Sequence, residues 1–188
     1  SSSLIFSNYN FKSEDIIILR NKLILEANKP TVIIDKKNQT LYEIDKLSYS
    51  IEDEVLKGEK IFINTKFNQP FSDNYFFKNA IFNLKDQSYI AKDIDINLKK
   101  DIFGNKNNDP RFKGISSSSK NGVTTIDKGI FTSCKKSDKC PPWSVQAKKI
   151  TYDKNKKQVL YDSALIKVYD VPVMLSLIHI SEPTRLCR

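Results

Sequence analysis

From Ser1 to Met174, short runs rich in Ile, Val, Phe, Tyr and Thr alternate with clusters of Asn, Asp and Lys, as strands separated by turns do. The clearest early runs are IIIL at 16–19, KLILEA at 22–27, TVII at 31–34, TLYEI at 40–44, KLSYSI at 46–51 and KIFINT at 60–65. Later ones include AIFNL at 80–84, IDINL at 94–98, GIFTS at 129–133, WSVQAKKITY at 143–152 and VLYDSALIKVY at 159–169. Within many of them apolar side chains recur at every second position, as at Ile94, Ile96 and Leu98, which turns one face inward and the other outward. No stretch of comparable length keeps a helical period with caps. The pattern predicts an all-β chain.

One arrangement repeats. Residues 32–42, VIIDKKNQTLY, read like residues 150–161, ITYDKNKKQVLY, and residues 80–90, AIFNLKDQSYI, form a weaker third copy. In each, a strand ends in an Asp/Asn/Lys turn and a second strand begins at a glutamine: Gln39, Gln87 or Gln158. A lone hairpin cannot bury its own apolar face, so turn residues at matching offsets predict hairpins stacked side by side. Gln39 and Gln87 stand 87 − 39 = 48 positions apart, twice a unit of 24, although the next interval, 158 − 87 = 71, does not divide so neatly. Residues 104–122, GNKNNDPRFKGISSSSKNG, read as a loop closed by an Asn-Gly turn. No second domain is read, so residues 1–174 form one domain. On pattern alone a sealed β-sandwich and an open stack of hairpins fit equally.

Composition changes abruptly after Met174. Residues 175–188, LSLIHISEPTRLCR, contain neither Lys nor Asn, whereas 27 Lys and 16 Asn fall before them. Leu175–Arg185 resembles the conceptual translation of a transposase-type sequencing-library adapter, with a real amphipathic tail as the competing reading, and the segment is left out of fold and site reasoning. The chain opens on Ser1 with neither an initiator Met nor a charged-then-apolar leader, which reads as a piece of something longer. No run approaches the roughly 20 apolar residues of a membrane-spanning helix.

Setting the tail aside removes His179, the only histidine, together with Cys187. Imidazole acid–base chemistry, Cys-His or Ser-His-Asp nucleophiles and a His-containing zinc site then have no residues to work with, and no metal or cofactor is expected. Without the tail the charge is 29 − 21 = +8 against +9 for the whole chain. The lysines are dispersed, with no block of five and no Gly-aromatic RNA-binding signature, which argues against nucleic acid as partner. Glu52, Asp53 and Glu54 offer carboxylates of the kind a β-stacked carbohydrate-active enzyme would use. They sit where a strand gives way to a turn, and no phosphate loop or nucleophile elbow accompanies them.

Thr132-Ser133-Cys134, then Pro142-Trp143-Ser144-Val145-Gln146-Ala147-Lys148-Lys149-Ile150, then Asp153, Ala164 and Asp170-Val171-Pro172-Val173 resemble, in order and spacing, the N-terminal periplasmic OstA-like domain of the LptD family of lipopolysaccharide-assembly outer-membrane proteins. The resemblance is specific over 132–174 and general over 1–131. It implies an open β-jelly-roll, a stacked-hairpin β-solenoid, that conducts lipid without being an enzyme. The domain would take lipopolysaccharide from a periplasmic bridge protein of similar fold and pass it to the parent chain's outer-membrane barrel with its plug lipoprotein. It would work at the periplasmic face of the outer membrane.

A lipid with several acyl chains needs a continuous apolar trough. The period-two runs offer Leu47, Tyr49, Ile94, Ile96, Leu98, Val145, Ile166 and Val168 as its lining, and sealed core is the competing reading of each. An open stack leaves an unpaired edge, expected in the early strands at Ile16, Ile17, Ile18, Leu23, Ile24 and Leu25, where strand addition would seat the bridge protein. Cys134 and Cys140 enclose KKSDK and could close a local disulfide loop in an oxidising compartment, worth roughly 2–3 kcal/mol. The resemblance implies instead that such cysteines bond to the barrel.

Overall fold

The computed structural model describes residues 2–6, 8–137, 142–176 and 180–182. The chain is all-β, as the pattern predicts. Its strands are β1 Ser2–Phe6, β2 Tyr9–Ser13, β3 Ile17–Leu19, β4 Ile24–Ala27, β5 Thr31–Asp35, β6 Thr40–Ser50, β7 Val55–Thr65 and β8 Asn74–Asn83. They continue with β9 Ser88–Asn97, β10 Arg111–Lys120, β11 Val123–Thr132, β12 Trp143–Asp153, β13 Gln158–Val168, β14 Val171–Ser176 and β15 Ile180–Glu182. The one helical turn among the described residues is the 3₁₀ segment Arg20–Lys22. All strands belong to an open antiparallel sheet in the order β1-β2-β5-β6-β7-β8-β9-β10-β11-β12-β13-β14, with β3, β4 and β15 off this path. The sheet forks at β6, whose residues 40–44 pair with β5 and whose residues 47–50 pair with β4, which carries β3.

By internal packing the chain divides into two compact units, Ser1–Lys92 and Asp93–Arg188, the boundary falling within β9. In the first, the two halves of the long strands face each other across an apolar interior: Phe11 meets Tyr49 (ring centroids 5.2 Å apart), Tyr42 meets Phe82 (6.0 Å) and Phe77 meets Tyr89 (5.1 Å). In the second, Phe112 meets Tyr152 (5.6 Å) and Phe131 meets Tyr161 (6.2 Å) in the same way.

The inward positions do not keep period two. In β6 they are Tyr42, Ile44, Leu47 and Tyr49, in β11 Thr124, Ile126, Gly129 and Phe131, and in β12 Val145, Ala147, Ile150 and Tyr152. The steps are two, three, two. At the step of three the register skips one residue on each strand: Ile44 opposes Ile61 and Lys46 opposes Glu59, passing over Asp45 and Lys60. A left-handed residue stands at this step in every second strand, at Lys60 (φ +47°), Asp93 (+49°), Lys128 (+47°) and Ser163 (+53°), each the sixth residue of its strand. The extra residue resets the alternation, so both halves of the strand present their apolar side to one interior.

These positions correct the expected repeat. Their spacings are 93 − 60 = 33, 128 − 93 = 35 and 163 − 128 = 35 positions, so the unit is one whole hairpin rather than half of 48. The glutamines are not equivalent either. Gln39 (φ +54°) and Gln87 (+57°) are the left-handed last residues of their turns; their counterpart is Lys157 (+52°), and Gln158 already belongs to β13. Each turn is opened by a short polar side chain. Asp35 accepts from the N–H groups of Lys37 and Asn38, Asp153 from those of Asn155 and Lys156, and Asn83 from those of Lys85 and Asp86. The expected loop at 104–122 ends early, because residues 111–120 form β10, although the Asn121-Gly122 turn (φ +53° and +78°) stands as read. Four consecutive serines are weak strand formers, but Phe112 and Ser117 face the interior and the Ser116 hydroxyl bonds Asp127 (2.9 Å), so tertiary pairing overrides propensity.

Candidate functional site

Three places bring together residues with more than a packing role. The first is the interior itself. Leu47 and Tyr49 are buried in the first unit, Ile94, Ile96, Leu98 and Val145 in the second; Ile166 is half-buried and Val168 exposed. The inward direction read for the first six agrees with their burial, whereas Ile166 falls in the same half-buried class as its neighbours Leu165 and Lys167. The interior they line is packed by the aromatic contacts above. In the first unit Gln87 Nε2 donates to the Leu84 carbonyl (2.8 Å) and to the Tyr9 hydroxyl (3.4 Å), tying the β8–β9 turn to β2. Burial, reinforced by the charge of Glu54, pushes the Tyr49 phenol up to about 12. Burial also raises Tyr42 and, with Asp35, Tyr9. These hydroxyls stay protonated across the physiological range.

The second place is the early edge. Ile17 and Ile18 lie in β3, which among the described residues pairs only with β4, and all of that strand is exposed. Ile16 precedes the strand and is half-buried, and Leu23 is exposed in a left-handed conformation (φ +50°). Ile24 and Leu25 belong to β4, an interior strand flanked by β3 and β6, and Leu25 is fully buried. The edge expected at 16–27 therefore narrows to β3, and β1, which among the described residues pairs only with β2, forms another margin of the same unit.

The third place is the conjunction of Thr132, Cys134 and Trp143 in the second unit. The Thr132 hydroxyl donates to the Trp143 carbonyl (2.7 Å), the Cys134 N–H donates to the Thr132 hydroxyl (3.2 Å), and the Trp143 ring stands 5.8 Å from that of Phe131. Cys134 is buried with a free thiol. Cys140 lies outside the described residues, and the local disulfide with it. Across from Cys134, Arg111 Nη1 donates to the carbonyls of both Asp109 and Cys134. Asp109 accepts from the Lys136 N–H (2.8 Å) and meets the Lys100 ammonium at 3.3 Å. Burial works to raise the Asp109 carboxyl, but these partners outweigh it and hold the group below the ordinary carboxylate range. This clamp was invisible in the sequence, since its members come from separate segments.

Glu52, Asp53 and Glu54 form the β6–β7 turn, where Asp53 accepts from the Ser50 hydroxyl (3.0 Å). Among the described residues no cluster of three His, Cys, Asp or Glu could hold a metal ion, and no helix is long and apolar enough to cross a membrane. Sequence reasoning also missed an open groove of about 580 Å³ on the outward face of the first unit, where Lys46, Lys57, Ile81 and Ile90 meet. Only the strand register could reveal it. No family model matches the chain, and neither does any curated protein.

Proposed function

We propose that this chain is a nonenzymatic periplasmic domain that conducts lipopolysaccharide, an open β-jelly-roll that receives the lipid from a bridge protein and delivers it toward an outer-membrane β-barrel with its plug lipoprotein. The observation that carries this reading is the shared two-three-two spacing, which places apolar side chains of successive hairpins on one interior side within each unit. Acyl chains are matched by such a lining, and a sugar-phosphate head is matched by the lysine-rich exterior. The Thr132–Cys134–Trp143 conjunction lends support, because it knits together the residues on which the likeness to the LptD family rests. The short, exposed β3 suits strand addition by a partner of similar fold, with Ile17 and Ile18 as its apolar contacts.

Conduction through so packed an interior requires the facing halves of the strands to part during passage. A photo-crosslinking residue at Ile96, Val145 or Ile166 should therefore capture lipopolysaccharide, while one at Asp95 or Gln146 should not; equal labelling of the two sets would sink the reading. For the docking edge, proline at Ile17 should abolish capture of the bridge protein with the fold retained by circular dichroism. Unchanged capture would move docking to another margin.

A further inference from the structure

We propose that the outward groove of the first unit binds a phosphate-headed, single-chain amphiphile, with Lys46 and Lys57 on the head and Ile81 and Ile90 along the chain. The groove faces away from the packed interior, so this site goes beyond the conduit reading and does not depend on it. It crosses β4, β6, β7, β8 and β9, and its volume of about 580 Å³ is that of a small-molecule site. Its floor is the backbone of the row Ala27, Leu47, Gly58, Ala80 and Ala91, whose side chains, where present, turn inward, and its walls are the outward rows on either side.

The register places the head. Lys46 opposes Glu59 and Lys57 opposes Ser48, so the two lysines are diagonal neighbours on one face, with Cβ atoms roughly 7–8 Å apart or less. Two long ammonium side chains at that spacing can converge on one tetrahedral anion. Among the described residues neither lysine is ion-paired, although Glu59 lies across the ladder from Lys46. The register also places the chain. Ile81 directly opposes Lys57 on β8, and Ile81 and Ile90 are 48% and 66% exposed, so apolar surface begins one strand spacing from the Lys57 backbone. Glu26, Glu59 and Lys92 line the groove as well, and the charges sum to 3 − 2 = +1. A free anion gains little from so small a surplus, which leaves the apolar contact to supply the rest of the affinity.

The test is a calorimetric titration of the whole chain with dodecyl phosphate below its micelle concentration, alongside inorganic phosphate and dodecyl maltoside. Dodecyl phosphate should saturate one site, and each of the other two should bind at least about ten-fold more weakly. The K46Q/K57Q double variant should weaken dodecyl phosphate on the order of three- to thirty-fold. The I81S/I90S double variant should weaken it too while leaving the inorganic phosphate titration unchanged. All four substituted side chains are outward, and circular dichroism should show both variants folded like the parent. Absence of saturation, equal affinity for the maltoside, or unchanged affinity in either double variant would overturn the proposal.

Discussion

Gly114 has no room for a methyl group: an added Cβ would overlap Cγ2 of Ile126 and stand 3.2 Å from the carbonyl oxygen of Asp127. Gly114→Ala should therefore cost about 1–3 kcal/mol in chemical denaturation, as overpacking does. Gly104 has nothing within 4 Å but a φ of +85°, so Gly104→Ala should cost about 1 kcal/mol through backbone strain alone. The buried tyrosines make a different prediction. A phenol whose folded pKa is raised contributes stability that is complete below the unfolded value, about 10, and is lost as pH rises through the folded value. With Tyr49 pushed up to about 12, stability should fall from about pH 10 upward. Tyr49→Phe should flatten that slope in denaturation curves taken across the alkaline range. Asp109 works in the opposite sense. Its depressed carboxyl stabilises above the ordinary carboxylate range, so Asp109→Asn should be destabilising at neutral pH and should converge on the parent as the medium is acidified below that range.

Among the elements, the hairpin turns depend on their first residue. Asp35 is fully buried and accepts from two backbone N–H groups and from Asn38 Nδ2 (2.7 Å), so Asp35→Ala should cost about 2–3 kcal/mol. Asp153 makes the same two backbone contacts at a more exposed turn, and Asp153→Ala should cost less. At the strand centres, Ser163→Gly should be close to neutral while Ser163→Val should lose about 1–2 kcal/mol, because a β-branched residue resists the left-handed conformation; thermal unfolding of the pair checks this. These positions explain what the sequence concealed. Runs such as Ile94, Ile96 and Leu98 announce strands because β-branched and apolar residues alternate there, and the inward side of most candidate lining residues was legible for the same reason. The left-handed residues are Lys, Asp, Lys and Ser, with no glycine or asparagine to signal a bulge, so the alternation read as unbroken where it is reset. The Asp109 clamp and the Lys46–Lys57 pair were illegible because tertiary pairing alone assembles them.

For the whole molecule, the open sheet leaves margins that its own hydrogen bonds do not fill. At β3 the exposed Ile17 and Ile18 are guarded only by the brevity of the strand and by Arg20 and Lys22 beside it. Ile17→Lys should reduce self-association in sedimentation velocity runs without lowering stability, as a charge on a free margin does. The repeated hairpin bears on the length of the chain itself. Because Lys128 and Ser163 hold the same place in successive hairpins, excising Lys128 through Asp162 would join Asp127 to Ser163. Thr124 and Ile126 would then lead to Ala164 and Ile166 by the same inward steps. An excision ending one position earlier, at Tyr161, would turn the far half of the spliced strand inside out. The first shortened chain should fold to a β spectrum with a cooperative melt and the second should not. Copy number is thus a quantity the fold leaves adjustable, in whole hairpins and in nothing smaller.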